Sequence, residues 1–395
     1  MSFLTRMMRE PDKRLLWKFC WNFGFKGMRA VDKFQKRIKA GEYFPAFLFI
    51  SVTDKCNLSC QGCWVTQASP SRELDIETLD RVVEECKKKG SYFFGILGGE
   101  PLMHKGLFDL FERHPDAYFL LFTNGLLITD ATASRMRELG NVSPLISIEG
   151  NVEVSDVRRG GKDVYQRTID AIEICRKHRL VIGAATSICK SNIGDLATEA
   201  FVNQLASIGV HYLWYYIYRP VGPDPTPELA LDPGQVLDLR RFIVDVRTRA
   251  PMLIVDAYWD HDGKALCPAA VGIGHHISPA GDIEPCPPIQ FAAENIGDAT
   301  DLHARFSTSE FLRNFRNLAC KTTQGCIIME NPELLREFLT GNGAEDTSGR
   351  DTAFRELEDM LPHRSQHMPG EEIPEKSWAY RFAKKHWFFG FGAYG

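Results

Sequence analysis

Between residues 45 and 218 the sequence alternates short apolar runs with amphipathic helical stretches, and this alternation confines the chain to a parallel α/β architecture. The runs at 46–52, 92–97, 117–122, 143–148, 181–187 and 211–218 read as strands. Those at 75–89, 107–113, 129–139, 164–178 and 196–208 read as helices. Six strands joined by right-handed crossovers predict an open, partial (β/α)6 barrel, with working residues at the C-terminal ends of the strands. A connector rich in Pro and Gly follows at 220–233, then a helix at 234–249, a strand candidate at 253–258 and a helix at 332–339. The polar stretches 341–350 and 362–376 lack periodicity and read as linkers. The expected division is a basic amphipathic segment at 1–44, the barrel at 45–222, a small C-terminal domain at 223–335, and a polar linker with a basic, aromatic tail at 336–395.

The 11 cysteines are unevenly placed. Cys56, Cys60 and Cys63 sit together. Cys267, Cys286, Cys320 and Cys326 form a late group. Cys20, Cys86, Cys175 and Cys189 lie on apolar segments and read as buried small hydrophobes. The start of the sequence shows no signal-peptide pattern, and no stretch is long and apolar enough to cross a bilayer. The expectation is therefore the reducing cytosol, where clustered cysteines mean metal. A net charge of −4 gives no global sign of a polyanion binder, and no nucleic-acid partner is expected.

Cys56-Asn-Leu-Ser-Cys60-Gln-Gly-Cys63 directly follows the first strand. Three thiolates at this spacing in a loop can hold three irons of a 4Fe–4S cluster, leaving the fourth open. Zinc is the rival metal, although no second Cys or His hook lies nearby. Gly98-Gly99-Glu100-Pro101 follows the second strand. Alone it reads as a turn. One strand after the cysteine loop, it gives the pair of motifs that resembles the radical SAM superfamily over about residues 45–218.

The resemblance implies that a 4Fe–4S cluster on Cys56, Cys60 and Cys63 binds S-adenosylmethionine (SAM) through its open iron, with Gly98, Gly99 and Glu100 receiving the amino group. An electron from the reduced cluster, supplied by a reductant such as flavodoxin or ferredoxin, would break the sulfur–carbon bond. The 5′-deoxyadenosyl radical would then take a hydrogen atom from substrate. Ser147-Ile-Glu149-Gly150 and Asp156-x-Arg158-Arg159-Gly160 match family patterns more loosely. They make Ser147, Glu149 and Arg158 or Arg159 candidates for the ribose and carboxylate of SAM, with Ser187 and Asn192 weaker ones. Trp64 is placed either to cover the adenine or to pack. Tyr216 and Tyr218 share a strand face and read first as core.

The late cysteines surround a hairpin with its turn at Ala280-Gly281-Asp282 and Cys286 on the return strand. This resembles the SPASM or shorter twitch extension of radical SAM enzymes. It implies one auxiliary 4Fe–4S cluster on Cys267, Cys286, Cys320 and Cys326. Cys320 is the weakest of the four; without it the cluster has an open iron. Zinc is the alternative. His275-His276 reads as a polar turn.

The first forty residues hold eleven basic and three acidic side chains interleaved with aromatics, and Met28, Val31, Phe34 and Ile38 share a helical face. This reads equally as a segment lying on an anionic membrane surface or as a helix packed across the main domain. The tail, with Lys384, Lys385, Trp387, Phe388, Phe389 and Phe391, repeats the basic, aromatic character. The functional expectation is a radical SAM enzyme, cytoplasmic or peripheral at the inner membrane face, acting on a membrane-proximal lipid or isoprenoid. The alternatives are a maturase of ribosomal peptides, a dehydrogenase of a small metabolite, and a non-enzymatic iron–sulfur electron carrier.

Overall fold

The computed structural model describes residues 2–265, 267–297 and 300–387; Phe388, Phe389 and Phe391 of the expected tail lie outside them. Six strands form where the alternation places them, each end within two residues. They are β1 (Phe47–Ser51), β2 (Phe93–Leu97), β3 (Tyr118–Thr123), β4 (Val142–Ser147), β5 (Gly183–Ile188) and β6 (Tyr212–Ile217). Their side chains are apolar on both faces because helices cover one side and the barrel interior the other. β7 (Leu253–Val255) extends the parallel series beyond β6.

β8 (Gly274–Ile277) then pairs parallel to β1 at the opposite edge, and β9 (Ile283–Glu284) pairs antiparallel to β8. The resulting nine-stranded sheet has the order β7-β6-β5-β4-β3-β2-β1-β8-β9. It runs straight across the sequence division at 222 and 223. The hairpin that leads to Cys286 is part of the same sheet as the first cysteine loop. A separate antiparallel pair joins β10 (Phe291–Ala292) to β11 (Glu345–Asp346).

Helix starts follow local capping. Asp75 accepts from the Thr78 backbone amide at 2.8 Å at the head of Ile76–Lys88, and Thr129 and Thr132 form a capping box at Asp130–Leu139. The single helix expected over 196–208 is instead two, Ile193–Leu196 and Glu199–Ile208. Thr198 takes the N-cap role, accepting from the Phe201 amide at 3.2 Å, and so starts a new helix.

The basic N-terminal segment is a strap under the barrel. It runs as helices Phe3–Arg9, Lys13–Lys18 and Lys26–Lys39 with the π-helical turn Phe19–Phe25 between. Its cations reach main-chain carbonyls just before successive strands. Arg6 donates to Val210 and Pro251, both at 3.0 Å, ahead of β6 and β7. Arg14 donates to Glu138, and Lys18 to Leu139 at 2.7 Å, ahead of β4. Lys26 donates to Asp116 at 2.7 Å ahead of β3, and Arg37 to Lys89 ahead of β2. These carbonyls lie at or near helix C-termini, where the helix dipole favours cations. Val31 and Phe34 are buried on the barrel, while Ile38, expected on the same face, is exposed.

The stretches expected as linkers are also packed. Glu375 is buried between Arg240, at 2.7 Å, and Arg247; Arg240 also donates to the Ile373 carbonyl. Asp256, just past β7, pairs with Arg247 at 2.5 Å and Lys384 at 3.0 Å. Their polarity, which reads as solvation in the sequence, is spent on a buried ionic network. Burial lowers the Lys384 ammonium to about 8.

Candidate active site

The loop after β1 is fixed from several sides. Beyond the ends of β1 and β2 the two chains stay paired: the Gly99 amide donates to Thr53 at 2.8 Å and the Glu100 amide to Lys55 at 2.7 Å. This close approach requires Gly98 and Gly99. Gly98 has φ +151°, and a Cβ on either residue would collide with the carbonyls of Thr53 or Lys55. Gln67 spans the cysteine loop, accepting from the Cys56 amide and donating to the Leu58 carbonyl, while the Gln61 amide donates to Arg158 at 2.9 Å. Cys56, Cys60 and Cys63 are held partly exposed at the mouth. Burial pushes the free Cys63 thiol up to about 11.

Glu100 is placed differently from the expectation that it meets an amino group. It is wholly buried beneath the Gly-Gly run. Its carboxylate accepts from Thr123 Oγ1 and the Asn124 amide, both at 2.8 Å, and from the Leu102 amide at 3.1 Å. Burial raises its pKa. Its side chain ties the loop to the end of β3. Asn124, which the sequence reading passed over, donates to Asn57 at 2.6 Å within the cysteine loop.

On the other side, β4 and β5 bring Ser147, Glu149 and Ser187 together. Glu149 is buried, accepts from the Ser187 amide at 3.1 Å and Asn192 Nδ2 at 3.4 Å, and lies 4.0 Å from Arg158. Burial raises its pKa against the opposing pull of Arg159 and Arg158. The ambiguity between the two arginines resolves into two roles. Arg159 donates to Cys60 Sγ at 3.7 Å and to the Ser147 carbonyl at 3.4 Å. Arg158 stacks over the Tyr218 ring at 5.2 Å. Tyr218, at the end of β6, therefore belongs to the site; its place at a strand C-terminus was the available signal. Trp64 packs edge-on against His276 at 5.5 Å. His276 is no surface turn: it bridges Ser51 at 2.7 Å and Glu284 at 2.5 Å inside the sheet.

The donor set fits a cluster better than a single ion. Zinc draws its ligands to about 2.0–2.3 Å, yet no three His, Cys, Asp or Glu side chains converge in that way among the described residues. Three thiols on one loop suit separate irons. Arg158 Nε and Nη1, Arg159 Nε, Thr186 Oγ1 and Tyr216 Oη are buried without hydrogen-bond partners. The unmet donors of Arg158 and Arg159, next to the cysteine loop, suit an anionic cofactor.

Of the four late cysteines, three come together. Cys267, Cys286 and Cys326 feel one another's charge, and Arg219 lies beside Cys326 and Cys267. Burial raises all the more the cost of a bare thiolate here, pushing Cys267 up to about 12. Cys320 is exposed on helix Glu310–Thr322, its thiol directed to the Ala270 carbonyl at 3.4 Å. Residues 218–222 separate the two cysteine groups: Tyr218 faces Arg158, Arg219 faces Cys326, and Gly222 lies against the Cys63 carbonyl.

A family model described as the radical SAM superfamily matches residues 50–193, from the end of β1 to just past β5. Residues 50–193 thus match a radical SAM domain. Members of this superfamily work with a 4Fe–4S cluster and SAM. The chain is 28% identical over 173 residues to an AdoMet-dependent heme synthase of Methanosarcina barkeri, covering 42% of this chain and 50% of that protein. It is 28% identical over 313 residues to the mycofactocin maturase MftC of Mycolicibacterium smegmatis, covering 73% of this chain and 76% of that protein. That likeness is longer than the stretch matched by the family model. Streptococcus suis SuiB bound to S-adenosylmethionine shares the fold, with TM-score 0.61 and 17% identity over 71% of this chain and 70% of that one. The chain spans about half the length of the first curated relatives it matches. Among the described residues no helix is long and apolar enough to cross a membrane.

Proposed function

We propose that this radical SAM protein is an enzyme that reductively cleaves SAM at a cluster on Cys56, Cys60 and Cys63. In this reading it carries a second cluster on Cys267, Cys286 and Cys326. The observation that supports it most is the cysteine loop locked against Gly98–Gly99 beside the unpartnered nitrogens of Arg158 and Arg159. When bound, cluster and SAM supply one-electron chemistry that produces a carbon radical able to abstract hydrogen. The protein's own share is to hold and orient. Gly98 and Gly99 offer backbone carbonyls to an ammonium, Arg158 and Arg159 compensate anionic charge, and Glu149 with Ser187 frames the hydroxyl side. In this reading Cys320 stands outside the ligand set, so the second cluster would have one iron without a cysteine ligand, and Arg219 beside Cys326 and Cys267 would supply positive charge there.

The test is anaerobic reconstitution with iron and sulfide, reduction, and addition of SAM, with 5′-deoxyadenosine read by mass spectrometry. Wild type should form it and hold about eight irons, falling to about four in the Cys56/Cys60/Cys63 triple-Ala variant. Full iron loading without deoxyadenosine, with or without membrane lipid extract, would leave an electron carrier instead.

A peripheral membrane contact is a second proposal. Trp17, Trp21 and Phe25 are 65%, 45% and 40% exposed and stack in series at 5.8 and 4.8 Å along the strap. Arg9, Lys13 and Arg29 are exposed around them. An aromatic stripe rimmed by cations suits an anionic interface.

A further inference from the structure

A cavity of about 760 Å³ lies over the C-terminal ends of β5 and β6. Its floor includes Pro220 and Val221, which lead into Gly222 against the Cys63 carbonyl. One wall carries Pro288, two residues past Cys286, and Ile328, two past Cys326. The roof is the helix Ala353–Asp359 with Leu361. The cavity thus touches segments next to Cys286 and Cys326 and ends one residue short of Gly222, which abuts the Cys63 carbonyl; its size is that of a small-molecule site.

Its lining selects against amide-rich ligands. The polar groups present are already spent. Arg350 forms a bidentate pair with Glu356 at 2.8 and 2.7 Å and also donates to Thr66 at 2.9 Å and Gln290 at 2.8 Å. His363 Nε2 meets the Leu231 carbonyl at 3.0 Å. Five prolines, Pro220, Pro225, Pro227, Pro288 and Pro362, offer no backbone N–H. A peptide entering here would lose its hydrogen bonds to water and find few replacements. An apolar body loses nothing and gains the burial of its surface. Besides the Arg350–Glu356 pair, the lining carries charge on exposed residues such as Lys190 and Glu228, whose loops are tied by the Lys190 amide donating to Leu229 at 2.9 Å.

We propose that this cavity binds the apolar body of an amphiphile and leaves its polar group at the rim with Lys190 and Glu228. That the occupant is the substrate rests on the radical SAM reading; the binding itself needs neither cluster.

The experiment is calorimetric titration of 1-octanol into the full-length reconstituted protein at two temperatures, with acetyl-trialanine amide as the peptide probe. One octanol should bind per chain with a negative heat-capacity change, and the peptide should not bind. Leu357→Trp on the roof and Met329→Trp on the wall should each weaken octanol at least tenfold, leaving iron content unchanged. Trp17→Ser, on the strap, should bind octanol as wild type does. Unsaturable uptake, undiminished binding in both Trp variants, or preference for the peptide overturns the proposal. Octanol binding that behaves as expected in a protein that never forms deoxyadenosine upholds the site and removes only the enzymatic reading.

Discussion

At the scale of single residues, the loop around Gly98 and Gly99 leaves no room for a methyl group. Gly99→Ala drives a Cβ into the Lys55 carbonyl, and such overpacking costs about 1–3 kcal/mol. The variant should keep its iron and bind SAM at least about tenfold more weakly in equilibrium dialysis; unchanged affinity would mean the cradle is not used. The late cysteines make a second prediction. Cys320→Ser should retain about eight irons, whereas Cys326→Ser should fall toward about four. Equal loss in both variants would return Cys320 to the ligand set. The sequence could name the first three cysteines because they share one loop, where spacing alone brings them together. It could not place Cys320, because the face of helix Glu310–Thr322 on which that thiol emerges depends on how the helix docks. The partners of Glu100 were hidden for a related reason. A carboxylate next to a motif looks available until Thr123 and Asn124, from the next strand, are seen to occupy it.

At the scale of elements, strands and helices were legible because apolar periodicity is local, and the split of 196–208 turned on a single capping threonine. The strap was half legible: packing across the main domain was one of its two readings, but its cations read as solvated, since they serve carbonyls that are distant in sequence and adjacent only after the barrel closes. Arg6 is the most buried of them, holding Val210, Pro251 and Glu10 together. Arg6→Met should cost about 2 kcal/mol, as hydrogen bonds from a charged donor do, and lower the thermal midpoint by several degrees. The effect has a pH signature. Burial alone would raise the pKa of Glu10, but hydrogen bonds from His211 and Arg6 outweigh it and hold the group near about 2. A folded pKa below the unfolded one contributes stability that is present above about pH 4.5 and fades as pH falls toward 2. Removing Arg6 raises the folded value, so the acid unfolding midpoint should move to higher pH, as followed by circular dichroism. A midpoint that stays in place would mean His211 alone sustains the shift.

At the scale of the whole molecule, the two ends of the barrel carry different business. Both cysteine groups and the apolar cavity lie at the strand C-termini, whereas the exposed stripe of Trp17, Trp21 and Phe25 lies on the strap beneath the strand N-termini. A bilayer contact through the stripe therefore turns the cavity mouth away from the surface it rests on. The basic, aromatic ends alone suggested a membrane-proximal substrate; the topology puts the stripe and the cavity at opposite ends of the barrel. Deleting residues 1–44 would not isolate the contact, because it would also strip the carbonyl caps from several helix ends and expose Val31 and Phe34. The cleaner variant is Trp17→Ser with Trp21→Ser, both on the exposed face. On liposomes containing anionic lipid, wild type should float and the double variant should remain in the dense fraction, with more salt reducing wild-type flotation as screening grows. Octanol binding and deoxyadenosine formation should be the same in both. If the two proteins float equally, or neither floats, the stripe is not a membrane contact. If the double variant loses catalysis in detergent-free solution, the two ends of the barrel are not independent.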